Sequence, residues 1–330
     1  MPRNSLFKKS SSRKNKDPIE AVTGLAGDAY YSMSEALGPS DEESGKGGLL
    51  SRDNRNNSEE EEIYIVRQRY GYCSIVFSAI QVFVLGLMMF KCGVAPLQLN
   101  PMIGPYPDGL SEWGGKNAVL ILEDSEWYRL MTPIFLHAGV VHLLGNVAVQ
   151  LETGLFFEKE WGSGRWLLIY LFSAVGSSVL SVVAMPQAIS VGSSGAVMGL
   201  FGGKLAEVIV RALECGSPLN RQERVAATVR KEQCCLVTSS VIIVMLFSFI
   251  PFVDWAAHLG GVLAGFLIGL AIFPADMKSL SVVFRVVGCA AGLVVAMFCL
   301  LRSLAYMYSG NVELAEELRD GTFRYLHFDG

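Results

Sequence analysis

A serine at the start of one glycine-rich apolar run and a histidine at the start of another could carry out chemistry together. Ser194 lies in Gly-Ser-Ser-Gly-Ala-Val-Met-Gly (192–199), and His258 lies in Ala-His-Leu-Gly-Gly (257–261). Below each of them glycine recurs every four residues, which smooths one helix face and allows two helices to approach closely. A hydroxyl and an imidazole at the ends of two touching helices form a candidate nucleophile and general base. Either residue alone is more typical of a structural role.

A second polar set lies on another apolar run. His142, Asn146 and Gln150 are spaced four residues apart, so they share one face of a helix. His142 and Asn146 can each donate a hydrogen bond to an oxyanion. We interpret Gln150 as an inter-helix hydrogen-bonding residue, because polar groups in lipid must be satisfied by protein or water. The alternative for the whole stripe is that it only holds helices together.

The composition is that of a membrane protein. Hydrophobic residues make up 51% of the 330-residue chain and charged residues only 18%, whereas soluble domains have about 25% charged residues. The net charge of −4, with no basic cluster in the apolar part, argues against nucleic-acid binding. The seven cysteines form no paired framework, although Cys234 and Cys235 at a helix edge are candidates for palmitate. Seven apolar runs of about 20 residues predict membrane-spanning helices near 72–91, 138–157, 165–184, 194–212, 234–252, 256–273 and 284–307.

These runs predict an all-α polytopic membrane protein with four segments. Residues 1–70, which are polar and poor in large apolar side chains, are predicted to be a disordered cytosolic tail. Residues 71–275 are predicted to form a six-helix core that includes an ordered interfacial loop over 93–137. A seventh transmembrane helix over 276–310 and a short exterior or luminal tail over 311–330 complete the prediction.

Lysine and arginine predict the orientation. The loops on the N-terminal side of the membrane carry most of these residues, and the opposite loops at 185–193 and 253–255 carry none. The N-terminus is therefore predicted to be cytosolic, in a membrane of the secretory pathway or the plasma membrane. The mitochondrial inner membrane is the alternative, because the first sixteen residues lack acids, as transit peptides do. Since successive helices alternate in direction, His142, Ser194 and His258 are all predicted to lie near the exterior or luminal face.

The chemistry that this set predicts is acyl transfer. His258 would take the proton of Ser194 Oγ, and the serine would attack a peptide carbonyl. The Ser194 N–H, His142 and Asn146 would hold the oxyanion. Gly192 and Gly195 would leave room for the substrate backbone. Asp254, one turn before His258, is interpreted as a surface-loop residue, so the prediction is a dyad.

At these residues the sequence resembles the rhomboid intramembrane serine proteases. Their Gly-x-Ser-Gly signature is matched at 192–195, their His-x-x-x-Asn at 142–146 and their Ala-His before glycines at 257–261. Further similarity lies at 100–105, 126–129 and 158–162, so that the resemblance covers about 95–275. The last helix, placed after the core, resembles the six-plus-one arrangement of eukaryotic secretory-pathway members.

The resemblance implies a serine endopeptidase that cleaves transmembrane helices of other membrane proteins near the luminal or extracellular face through an acyl-enzyme. It implies Ser194, rather than Ser193, as nucleophile, with no metal, nucleotide or other cofactor, and single-pass type I membrane proteins as substrates. Gly261 would support the base, and Met198 stands where many members have an aromatic residue packed on the catalytic histidine. Trp127 and Arg129 would be structural.

Two other functions remain as alternatives. One is a catalytically inactive rhomboid-like protein that binds membrane clients. The other is a transporter, since Lys204 and Glu207 lie on a predicted transmembrane helix, where we expect them to pair near the cytosolic end. The retained serine and histidine favour the protease over the first alternative. The grouping of the candidate residues at one helix end favours it over the second.

Overall fold

The described part of the chain consists of α-helices joined by short irregular segments. The computed structural model describes residues 71–214, 221–249, 253–277, 281–312 and 314. Ten α-helices lie in these ranges: α1 (Tyr72–Cys92), α2 (Pro107–Glu112), α3 (Ala118–Leu122), α4 (Val140–Val149), α5 (Leu155–Trp161), α6 (Ser163–Ala184), α7 (Ser194–Glu214), α8 (Arg221–Phe247), α9 (Trp255–Ile272) and α10 (Val282–Met307). The predicted N-terminal tail, 1–70, and nearly all of the predicted tail 311–330 lie outside the described residues.

Five segments of the described chain are long and apolar enough to cross a membrane. They are α1, the continuous helix Val140–Trp161 formed by α4, a π-helical turn and α5, then α6, the segment Trp255–Asp276 that contains α9, and α10. This confirms the all-α polytopic fold. The sequence predicted seven spanning helices. Helices α7 and α8 occupy the positions of the other two, but they are not apolar enough to be counted among these five. In α7 the reason is its charged residues, Lys204, Glu207 and Arg211, of which Lys204 and Glu207 are buried in the protein.

Helix α7 packs against α6 and α9 at the centre of the described structure. The predicted close contact of two glycine-lined faces is confirmed. A Cβ atom placed on Gly261 would lie 1.9 Å from the carbonyl oxygen of Gly195, and one placed on Gly265 would lie 1.9 Å from that of Gly199. A side chain at either of these α9 positions would therefore force the two helices apart.

The polar stripe of the continuous helix Val140–Trp161 joins this helix to its neighbours through Gln150, the first residue of the π-helical turn. Its Nε2 donates to Ser78 Oγ of α1 at 2.8 Å, and its Oε1 accepts from the Tyr170 hydroxyl of α6 at 2.8 Å. Gln150 is fully buried. The interpretation of this residue as an inter-helix hydrogen-bonding group is thus confirmed.

The long connection between α1 and α4 is ordered, as predicted. It contains α2, α3 and two short 3₁₀ helices, and Ala118 and Ile121 of α3 pack beneath α6 and the end of α10. Arg129 is 4% exposed and donates from Nη1 to the carbonyl oxygens of Ser111 and Gly115 at 2.5 and 3.0 Å. Its hydrogen bond to Glu126 lowers the pKa of that carboxyl. Arg129 therefore has the structural role expected of it.

Charged groups meet in the half of α7 that is remote from Ser194. Lys204 Nζ lies 2.9 Å from a Glu207 carboxylate oxygen and 2.7 Å from one of Glu160. Arg211 reaches the other oxygen of Glu207 at 2.7 Å. The predicted Lys204–Glu207 pair is confirmed. These charges therefore pair with one another in the half of α7 that is remote from Ser194.

Candidate active site

The first residue of α7 meets the first turn of α9. Ser194 Oγ lies 2.7 Å from His258 Nε2. Ser194 is partly exposed, whereas the preceding Ser193 is fully buried. Only Ser194 therefore combines an accessible hydroxyl with an adjacent base, the pairing that nucleophilic catalysis requires.

Asp254 places His258 by capping α9. Its side chain accepts the backbone N–H of Ala257 at 2.8 Å, which satisfies a free donor of the first turn. The same carboxylate accepts hydrogen bonds from the hydroxyls of Ser181 and Ser190. The interpretation of Asp254 as a surface-loop residue is wrong, because the turn before α9 packs against α6 and the segment that precedes α7.

Gly192 brings the α4 side chains next to the serine. Its φ of +120° is a conformation that L side chains rarely adopt, and its N–H donates to the carbonyl of Pro133 at 2.9 Å. A Cβ placed here would lie 2.9 Å from His142 Nε2 and 3.5 Å from Asn146 Nδ2. Both predicted oxyanion donors therefore lie beside the backbone that leads into Ser194.

The tautomer of His142 follows from its second ring nitrogen. Nδ1 accepts the backbone N–H of Ala138 at 3.4 Å, so the neutral ring carries its proton on Nε2, which faces Gly192. Asn146 Nδ2 donates one hydrogen to the carbonyl of His142 at 3.2 Å. Its amide has a second hydrogen for another acceptor. Both side chains can thus act as donors on the side of Gly192.

His137, the last residue of the predicted interfacial loop 93–137, is fully buried beside this group. Its ring packs edge-on against His142, with ring centroids 5.2 Å apart. Burial and the neighbouring His142 lower the pKa of His137 to about 3, so this ring is neutral near pH 7. It adds no positive charge to the site.

Two of the predicted supporting residues serve helix packing. A Cβ on Gly195 would lie 2.0 Å from Ser177 Oγ of α6, so this glycine allows close helix contact instead of leaving room for a substrate. Gly261 of α9 allows the same close approach, because a Cβ placed on it would lie 1.9 Å from the carbonyl oxygen of Gly195. Met198, one turn after Ser194, is 3% exposed within the main apolar core.

Ser248 is the residue at this site that sequence reasoning missed. It follows the last residue of α8, is 1% exposed, and places its Oγ 2.5 Å from His258 Nδ1. Its Oγ also donates to the carbonyl of Val244 at 2.6 Å. Serine near the end of an apolar helix commonly bonds to its own helix, so nothing in the sequence distinguishes Ser248 from such a residue.

Within the described residues, no group of three or more histidine, cysteine, aspartate or glutamate side chains could hold a metal ion. Next to the Ser194 hydroxyl at the start of α7 lie the imidazoles of His258 and His142 and the amide of Asn146. A helix start supplies free backbone N–H groups and the positive end of the helix dipole. This arrangement can stabilise a negatively charged oxygen next to a nucleophile.

Residues 124–275 match the family described as the rhomboid domain. Among similar proteins, "RHOMBOID-like protein 6, mitochondrial" of Arabidopsis thaliana is 33% identical over 54% of either chain. "Rhomboid-like protease 3" of Toxoplasma gondii is 33% identical over 50% of this chain and 59% of its own length. "Rhomboid protease GluP" of Bacillus subtilis is 33% identical over 49% of this chain and 29% of its own. The chain thus spans about half the length of the plant and Toxoplasma relatives and less of the bacterial one. It contains a rhomboid domain over residues 124–275.

Proposed function

We propose that this protein is an intramembrane serine endopeptidase that cleaves transmembrane helices of other membrane proteins. The observation that carries the proposal is the 2.7 Å contact between Ser194 Oγ and His258 Nε2, beside the inward-facing His142 and Asn146. The names of two relatives, which are called proteases, support it.

The proposed reaction passes through an acyl-enzyme. His258 Nε2 takes the proton of Ser194 Oγ, which attacks the scissile carbonyl carbon. The oxyanion accepts hydrogen bonds from His142 Nε2, Asn146 Nδ2 and the N–H of Ser194 at the start of α7. His258 returns its proton to the leaving nitrogen as the C–N bond breaks. Water, deprotonated by His258, then attacks the acyl carbon, and the serine regains its proton as it departs.

The position of the site supports a proposal for the substrate class. The serine is at the end of the helix bundle, so a substrate helix would meet it near one face of the membrane. The scissile peptide must first leave its helical hydrogen bonds, which small and helix-breaking residues in the substrate favour. We propose single-pass type I membrane proteins as substrates, cut near the luminal or extracellular face without a metal or cofactor.

We propose a membrane of the secretory pathway or the plasma membrane, with residues 1–70 on the cytosolic side. The support is the concentration of lysine and arginine on that side. One plant relative is named as mitochondrial, so the mitochondrial inner membrane is the alternative location to be tested. Fluorescence microscopy of the full chain beside mitochondrial and endoplasmic-reticulum markers decides between the two. Overlap with the mitochondrial marker would contradict the proposed location.

The catalytic proposal is tested by co-expression with a type I membrane protein that has small and helix-breaking residues near its luminal end. Wild type, Ser194→Ala, His258→Ala and the neighbouring control Ser193→Ala are compared for release of the substrate ectodomain. Purified proteins are also treated with a fluorophosphonate, which labels activated serines. We expect release and labelling in wild type and Ser193→Ala alone.

A folded, membrane-inserted wild type that neither releases several such substrates nor takes up the label would contradict the proposal. The alternative is then an inactive rhomboid-like protein that binds membrane clients. Co-purification of a membrane client with both wild type and Ser194→Ala would support that alternative.

A further inference from the structure

We propose that Ser248 is a positioning residue that holds His258 in the one neutral tautomer able to accept the proton of Ser194. The inference rests on the proposed protease function. Ser248 lies just beyond α8, and its Oγ is 2.5 Å from His258 Nδ1, the nitrogen that faces away from Ser194. With 1% of its surface exposed, Ser248 makes this contact inside the protein.

The direction of the hydrogen bonds follows from counting hydrogens. A serine hydroxyl has one hydrogen and two lone pairs. Ser248 donates that hydrogen to the carbonyl oxygen of Val244 at 2.6 Å. Toward His258 it therefore offers a lone pair, which accepts a hydrogen from Nδ1.

This assignment leaves the correct nitrogen free. A neutral imidazole with its hydrogen on Nδ1 has a bare Nε2, and Nε2 is the atom 2.7 Å from Ser194 Oγ. Ser194 then donates to His258, His258 donates to Ser248, and Ser248 donates to Val244. In the other neutral tautomer the hydrogen would be on Nε2, so His258 would donate to Ser194 and could not act as its base.

Among the described residues, no carboxylate is hydrogen-bonded to the His258 ring. Asp254 is the charged group nearest to His258 in the sequence, but its carboxylate is hydrogen-bonded to Ala257 N–H, Ser181 and Ser190. The other titratable group that faces His258 is His142. Ser248 is thus the side chain that occupies the position which an aspartate holds in a Ser-His-Asp triad.

The test uses Ser248→Ala, Ser248→Thr and the matched control Ser240→Ala in the full-length protein. Ser240 also lies on α8 and donates to the carbonyl four residues earlier, that of Leu236, at 2.8 Å. Its removal deletes the same kind of bond without touching His258. For each protein, kcat and KM are measured on the type I substrate.

We expect Ser248→Ala to lower kcat about tenfold, the effect of one neutral hydrogen bond, with KM little changed. Ser248→Thr, which keeps the hydroxyl, should restore kcat, and Ser240→Ala should equal wild type. Wild-type kcat in folded Ser248→Ala overturns the inference while the protease proposal stands. An inactive wild type overturns the protease proposal, and the role of Ser248 in catalysis with it.

A spectroscopic measurement does not depend on whether Ser248→Ala folds. In ¹⁵N-histidine-labelled wild type, with His258 assigned by comparison with His258→Gln, the ring nitrogen shifts report the tautomer. We expect the hydrogen on Nδ1. Observation of the hydrogen on Nε2 in active wild-type protein overturns the inference.

Discussion

In the proposed mechanism the two histidines beside Ser194 have opposite tasks, and each has a partner on its remote ring nitrogen that suits its task. In His142 the backbone N–H of Ala138 occupies Nδ1, so Nε2 carries a hydrogen and can donate to an oxyanion. In His258 the hydroxyl of Ser248 faces Nδ1, so Nε2 is bare and can accept a proton. At the residue scale the site depends as much on these remote partners as on the reacting atoms.

Asn146 and Gln150 lie on the same face of one helix, but their replacement by alanine should have different effects, on catalysis for Asn146 and on stability for Gln150. Asn146→Ala should lower kcat about 100-fold or more, the usual cost of losing one oxyanion donor, with little effect on stability. Gln150→Ala should instead destabilise the fold by about 1–3 kcal/mol, since it leaves the buried Ser78 and Tyr170 hydroxyls without their partner. Cleavage rates and thermal unfolding in detergent measure the two effects.

His142→Ala serves as the positive control for these measurements, because it removes the other side-chain donor. If Asn146→Ala keeps the wild-type kcat, Asn146 is not an oxyanion donor. If Gln150→Ala unfolds at the wild-type temperature, the hydrogen bonds that join α4 to α1 and α6 do not contribute to stability.

At the scale of helices, the site depends on how closely α7 and α9 approach. The four-residue glycine spacing predicted this contact, and the structure confirms it at Gly195–Gly261 and Gly199–Gly265. The period of a helix is regular, so a spacing in the sequence becomes a face in the structure. The same regularity places His142 and Asn146 together.

Irregular segments are where the sequence did not predict the structure. Asp254 lies in the turn before α9, and Ser248 lies where α8 ends. Their partners depend on where α8 ends and α9 begins, and no period in the sequence marks these points. The cap of α9 and the partner of His258 Nδ1 therefore became visible only in three dimensions.

Gly261→Ala tests whether the α7–α9 distance controls the site. The added Cβ would lie 1.9 Å from the Gly195 carbonyl oxygen, so the helices must separate, at a cost of about 1–3 kcal/mol for overpacking. Because Ser194 and His258 lie on opposite sides of this contact, fluorophosphonate labelling should slow at least tenfold. The measurement is the labelling rate together with the unfolding temperature.

Gly86→Ala in α1 is the matched control, because a Cβ at Gly86 meets nothing within 4 Å. It should label and unfold nearly as wild type does. Unchanged labelling and stability in Gly261→Ala would mean that the helices tolerate a wider spacing, and that the glycine stripe is not needed to form the dyad.

At the scale of the whole molecule, hydropathy alone does not decide whether α7 and α8 cross the membrane. The contacts at the site indicate the direction in which these two helices run. Helix α7 begins at Ser194 and leads away from the site, and the first turn of α9 lies beside it through His258. The end of α8 also touches His258, through Ser248, so α8 returns to the site. Since α9 lies in a segment that is long and apolar enough to span, α7 and α8 run alongside a membrane-crossing helix and should cross the membrane too.

Seven crossings predict which exposed positions share a face of the membrane. Cysteine is introduced into a cysteine-free variant at Leu213 near the end of α7, at Asp124 in the loop before α4, or at Ser309 after α10, all exposed. A membrane-impermeant maleimide added to sealed microsomes, whose outer face is cytosolic, should label Leu213→Cys at once. Asp124→Cys and Ser309→Cys should react only after detergent, because α3 and the end of α10 pack together on the site side of the bundle. Labelling of Leu213→Cys and Asp124→Cys from the same side would mean that α7 does not cross. The same three sites report orientation, since the reverse pattern would place Ser194 near the cytosolic face.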